Sequence, residues 1–122
     1  MATILIVEDE EQIRTSYVEI LQLEGYEAYG AGNGKEGLDI IGEKTIDLVV
    51  CDLLMPHMDG YEMLTALRQH PATAHMPFIL VSAKSDQATR DDFTAIGVNA
   101  ILAKPARLED LLDTISECLG RG

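Results

Sequence analysis

Five polar residues stand at or just beyond the ends of four short apolar runs. Glu8 and Asp9 follow Thr3–Val7, Asp52 follows Leu48–Cys51, Ser82 follows Phe78–Val81, and Lys104 comes shortly after Ala100–Leu102. Three carboxylates brought into one pocket repel one another and resist full ionisation. A hard divalent cation relieves that repulsion. Magnesium suits the set, because it takes oxygen ligands, keeps several waters, and is held by one or two carboxylates plus a phosphate. Lys104 offers one compact positive charge for an anion, and Ser82 offers a hydroxyl donor. Carboxylates, magnesium, a lysine and a hydroxyl are together the parts needed for phosphoryl transfer to a carboxylate nucleophile. Each residue also has a plainer reading when taken alone. Asp52 is then a solvated loop residue or a helix cap, Asp9 a helix cap and Glu8 a solvated carboxylate. Ser82 then satisfies a loop backbone group, and Lys104 is a surface lysine. The chemistry requires a fold that brings the four run ends to one edge.

The runs themselves say which fold that is. Short, continuous, β-branched stretches read as strands of a parallel sheet covered on both faces. Thr3–Val7 is the first. Asp9 with Gln12 resembles a capping box, and Ile13, Tyr17, Ile20 and Leu21 recur at helical spacing up to a left-handed cap at Gly25. Glu27–Ala31 is a weaker second strand. Asn33 and Glu36 then cap a helix carrying Leu38, Ile40 and Ile41 to about Glu43. Leu48–Cys51 is the third strand, broken by Met55-Pro56. Asp59 and Glu62 cap a third helix with Met63, Leu64 and Leu67 inside. Residues 70–77 form a loop fenced by two prolines. Phe78–Val81 is the fourth strand, and Asp86–Ile96 a fourth helix stopped by Gly97. Its apolar stripe of Ala88, Phe93 and Ile96 is thin, so much of it should face water. Ala100–Leu102 is a short fifth strand. The last helix has the clearest period, Leu108, Leu111, Leu112, Ile115 and Leu119, but a poor start, because Ala106 stands where Ser or Asp would cap it.

Five strands alternating with five helices predict an α/β fold with right-handed crossovers. The expected form is a flavodoxin-like (βα)5 three-layer sandwich with a parallel sheet in the order 2-1-3-4-5. Ligands bind such sheets at the carboxyl edge, where strands one and three adjoin. Glu8, Asp9 and Asp52 would converge there, with Ser82 and Lys104 on the next strands along.

The chain has 122 residues, which predicts one domain over residues 1–122 with a proper core. No apolar run approaches a membrane span. The first residues enter a strand without a basic stretch or a cleavage site, so the expected location is cytoplasmic. A formal net charge of −12 argues against direct nucleic-acid binding, because phosphates would be repelled. Cys51 and Cys118 read as small buried hydrophobes, with no CxxC for metal or redox work. His57, His70 and His75 lack ligand spacing and read as surface residues.

Four motifs carry a resemblance: Ile-Leu-Ile-Val-Glu-Asp-Glu (4–10), Asp-Leu-Leu-Met-Pro-His-Met-Asp-Gly (52–60), Val-Ser-Ala-Lys (81–84) and Lys-Pro (104–105). With them the chain resembles the receiver domain of two-component response regulators. That resemblance implies that Asp52 is the phosphoacceptor, loaded by a sensor histidine kinase or a phosphotransfer protein. It implies a magnesium site in which Asp9 is a direct ligand, Glu8 acts through water and Leu54 offers its backbone carbonyl. Ser82 becomes the switch hydroxyl and Lys104 the phosphoryl contact. Lys104-Pro105 becomes a cis peptide, and Ala83 is small for donor access. The domain would not be an enzyme in the usual sense, although it would catalyse its own phosphotransfer and dephosphorylation. It would act on a downstream partner or a fused output domain. Two positions depart from the family pattern: Ile101 stands where Tyr or Phe is usual, and Ala106 where Phe often follows Lys-Pro. The usual aromatic relay to the output face therefore lacks its ring, and backbone shifts in the loop 83–86 and in helix four should carry the change.

Other readings fit less well. An aspartyl-phosphate phosphatase of the haloacid-dehalogenase type wants a second Asp at the position of Leu54. A flavin module needs a phosphate loop where Glu8-Asp9-Glu10-Glu11 would repel phosphate. A pseudo-receiver that only binds partners has no need of the full acidic set.

Overall fold

The apolar strands need cover on both faces, and the helices between them supply it. The computed structural model describes residues 1–83 and 86–120. β1 (Thr3–Val7), β2 (Glu27–Ala31), β3 (Leu48–Asp52), β4 (Phe78–Ser82) and β5 (Ala100–Ala103) alternate with five helices. These are α1 (Glu11–Leu23), α2 (Gly34–Glu43), α3 (Gly60–Gln69), α4 (Gln87–Ala95) and α5 (Leu108–Cys118). Every strand pair is parallel, in the expected order β2-β1-β3-β4-β5. Successive side chains of a strand point to opposite faces, so the core lies in two layers. Leu5, Val49, Cys51, Phe78 and Leu80 pack with Met63, Leu64 and Leu67 of α3 and Phe93 of α4. Ile4, Ile6, Val50, Ile79 and Val81 pack on the other side with Leu21 of α1 and Leu111 and Ile115 of α5. Among the described residues no helix is long and apolar enough to cross a membrane.

The punctuation of the helices is largely as the sequence implies. Asp59 and Glu62 form a reciprocal capping box at α3, and Asn33 Oδ1 accepts the Glu36 N–H at 2.8 Å. Gly25 and Gly97 have φ of +94° and +87°, the left-handed conformation that closes a Schellman motif. Tyr26 N–H accordingly donates to Leu21 O, and Val98 N–H to Phe93 O. The end of α4 is held further by Arg68 of α3. Its guanidinium donates to Gly97 O at 3.2 and 2.8 Å and to Asn99 Oδ1 at 3.1 Å. Asn99 Oδ1 also accepts the Phe78 N–H at 2.9 Å.

Three local expectations are corrected. Asp9 does not cap α1: Glu10 holds the cap position and makes no side-chain cap bond. Glu8 Oε2 accepts the Glu10 N–H at 3.1 Å, so a buried carboxylate from the strand end takes a donor at the start of the helix. In α4 Ala88 is exposed and Thr89 is buried in its stead. The Thr89 hydroxyl can be buried because it donates to Asp86 Oδ1 at 2.8 Å. In α5 Leu108 is 40% exposed, so the inward stripe begins one turn later, at Leu111. The start of α5 is uncapped by any side chain, as expected, with Arg107 at the cap position. Cys51 is buried and Cys118 half-buried, both as free thiols, and the three histidines are exposed.

Candidate functional site

The strand order decides which run ends meet. Val7 is in register with Cys51, Asp52 with Val81, and Ser82 with Ala103. Glu8, Asp52, Ser82 and Lys104 therefore leave the sheet at one edge. Glu8, Asp9 and Asp52 each bring a carboxylate oxygen to a common place, all within 4.8 Å of one another. Lys104 reaches back across the edge, with Nζ 2.8 Å from Asp52 Oδ2 and 3.1 Å from Glu8 Oε1. Its own N–H donates to Ser82 O at 2.9 Å, and the peptide to Pro105 is cis, as the resemblance implied. Ser82 is buried, and Leu54, two residues past Asp52, is 66% exposed. Lys84 of the Val-Ser-Ala-Lys motif lies outside the described residues.

Three carboxylates face one ammonium, and burial sharpens the imbalance. Glu8 is 3% exposed. Loss of water pushes its carboxyl above the usual value, the Glu10 N–H pulls it down, Asp9 and Asp52 push it up, and Lys104 pulls it down; the net direction is up. For Lys104, burial lowers the pKa, but the bonds to Asp52 and Glu8 outweigh it and hold the group above the ordinary lysine value. The lysine is thus firmly charged, while Glu8 keeps an ionisation penalty that one lysine does not cancel. An all-oxygen donor set with surplus negative charge fits a hard divalent cation of magnesium's kind.

The backbone under Asp52 is tightly confined. Gly60 N–H donates to Leu53 O at 2.9 Å. A Cβ at Gly60 would lie 2.7 Å from Asp52 O and 3.1 Å from Leu53 Cα. The buried Cys51 thiol donates to the same Asp52 carbonyl at 3.1 Å, and burial, first among its causes, pushes that thiol well above its usual pKa. Gly60→Ala must therefore move main chain rather than a side chain. It should cost about 2 kcal/mol of stability, as overpacking typically does, measured by urea unfolding. An unchanged midpoint would mean that the loop yields freely. Farther along, Met58 N–H donates to Pro56 O at 2.8 Å around His57 at φ +70°, a γ-turn. The loop then meets α2, where Gly34 N–H donates to Met58 O at 3.3 Å.

Sequence reasoning took in Gly60 only as the end of the 52–60 motif, without its close approach to Asp52 O, and missed Arg14, whose Nη1 donates to the Glu8 carbonyl at 2.8 Å. A signal for Arg14 existed: it precedes Val18 by four residues and Leu21 by seven, so it stands on the inward face of α1.

The response regulator receiver domain family matches residues 4–116. The chain belongs to this family. The receiver is 39% identical over 121 residues to sensor kinase CckA of Brucella abortus, covering 97% of the receiver but 12% of that protein. It is 34% identical over 118 residues to the probable chemotaxis protein CheY of Rhizobium etli, covering 96% and 92% of the two chains. Among solved structures, chemotaxis protein CheY4 of Vibrio cholerae matches with a TM-score of 0.92 at 30% identity over 97% and 98% of the two chains. The receiver thus spans nearly all of one relative and a small part of another. Ile101, in the usual place of an aromatic ring, is half-buried and packs against the layer that contains Phe93. Phe93 meets Tyr61 of α3 edge-on, with ring centroids 5.4 Å apart.

Proposed function

We propose that this receiver takes a phosphoryl group on Asp52 from a histidine kinase or a phosphotransfer protein and changes conformation to signal to a downstream partner or output domain. The supporting observation is the pairing of Asp52 Oδ2 with Lys104 Nζ at 2.8 Å inside a three-carboxylate cluster. An oxygen of Asp52 forms the new bond to phosphorus as the bond from phosphorus to the donor breaks and its electron pair leaves with the donor. Lys104 is positioned to follow the added negative charge, since its ammonium already touches the acceptor carboxylate. Asp9, Glu8, Asp52 and the Leu54 carbonyl are the groups that would hold a magnesium ion, Glu8 through water. When bound, that ion supplies the positive charge that lets an anionic donor approach the carboxylates. Ser82 is the switch hydroxyl at the neighbouring strand end. Return to the resting state is hydrolysis of the acyl phosphate by water at the same edge. The acidic balance of the chain favours a protein partner over nucleic acid, and the cytoplasm is the compartment where such phosphotransfer would occur.

Intact-mass measurement tests the reading. With acetyl phosphate and magnesium the chain should gain one phosphate, and with chelator none. Gain that survives chelation would overturn the metal's part in it.

A further inference from the structure

We infer that Arg14 is a positioning residue for the acidic pair: by holding the Glu8 carbonyl it fixes the peptide that joins Glu8 to Asp9, and so sets how tightly the site takes a divalent cation. This rests on the functional reading above and deepens it. Glu8 is tied on every side. Its N–H donates to Ala31 O at 3.0 Å, its carboxylate meets Glu10 N–H and Lys104, and its carbonyl accepts from Arg14 Nη1 at 2.8 Å. Asp9, the next residue, is exposed. The orientation of the Glu8–Asp9 peptide therefore decides where the Asp9 carboxylate points. A charged donor on that carbonyl is the group that stops the peptide from turning.

The sheet leaves room for this arm. A Cβ on Gly30 would stand 2.9 and 3.0 Å from Arg14 Cγ and Cδ, and one on Gly32 would stand 3.4 Å from Nη1. The end of β2 is thus bare where the arginine stem crosses it, and a side chain at Gly30 would push the stem away.

Positioning and simple charge make opposite forecasts. A guanidinium near a cation site repels the cation, so if charge were all, removing it would tighten binding. If Arg14 orients the pair, removing it weakens binding. Magnesium titration calorimetry on the full chain separates the two. Arg14→Met keeps the aliphatic stem and removes the donor. It should raise the magnesium Kd on the order of tenfold, the usual scale for groups that orient a metal ligand. Gly30→Ala should weaken binding in the same direction with Arg14 still present, and the double variant should be no worse than the weaker single, because both act through one contact. Arg14→Lys should restore part of the loss. Unchanged or tighter magnesium binding in Arg14→Met, with its circular dichroism intact, overturns the inference. If Arg14→Met fails to fold, wild-type affinity in Gly30→Ala does so. A wild-type chain that takes up no magnesium overturns the functional reading and the inference together.

Discussion

Asp52→Asn should yield a receiver that takes up no phosphate from acetyl phosphate, whatever the magnesium concentration. The amide has the shape of the carboxylate but no anionic oxygen to attack phosphorus. The fold should survive the change. Lys104 loses its 2.8 Å partner but keeps Glu8 Oε1 at 3.1 Å, and one of three mutually repelling charges is gone. Intact mass should show no added phosphate in Asp52→Asn, against one in the parent. Undiminished incorporation would move the acceptor role to Glu8 or Asp9. Burial makes Glu8 a poor candidate, since it already resists ionisation.

The next largest effect separates Asp9 from Lys104. Asp9→Ala removes a carboxylate from the cluster and should lose most magnesium affinity, tenfold or more, about 1.4 kcal/mol per factor of ten. Lys104→Ala should bind magnesium at least as well as the parent, because a competing cation has left, yet respond poorly once phosphorylated. The chain has no tryptophan, so calorimetry is the direct measurement. The reverse ranking would exchange the roles given to these two residues. Lys104→Ala should also cost about 1–2 kcal/mol in the metal-free chain, because Glu8 and Asp52 are left facing each other. That is less than for a fully buried pair, since a quarter of the lysine side chain meets water. The lysine's folded pKa lies above its ordinary value of 10.5, so its contribution is complete below that pH and fades as pH rises through the folded value. Glu8, also raised, adds stability only in acid and loses it as pH rises past 4.5. At neutral pH the lysine's support is thus whole while the buried glutamate works against it.

The strands were legible in the sequence because β-branched runs covered on both faces leave a continuous apolar signature. Their alternation with helices, together with the known strand order of flavodoxin-like sheets, allowed the meeting of Glu8, Asp9, Asp52, Ser82 and Lys104 at one edge to be anticipated. What stayed hidden depends on distances between backbones. Nothing local marks Gly60 as lying 2.7 Å, in Cβ terms, from Asp52 O, since glycine after a capping Asp is unremarkable. The false cap at Asp9 arose because a run of four acids offers several residues to one helix start, and the tertiary fold gave the Glu10 N–H to Glu8. In α4 alanine and threonine differ little in pattern, and the hydrogen bond to Asp86 that lets the Thr89 hydroxyl be buried leaves no mark in the apolar pattern.

The bonds from Arg68 to Gly97 and Asn99 give α4 a fulcrum. Its C-terminal end is tied to α3 and, through Asn99, to the first residue of β4. The nine residues of α4 form an arm about 13 Å long. A tilt of about 10° around the tied end would sweep the opposite end through about 2 Å, while Gly97 stayed nearly in place. That travelling end begins at Asp86, a few residues beyond Ser82. The lever is therefore mounted with its long throw on the side where phosphoryl chemistry would push it.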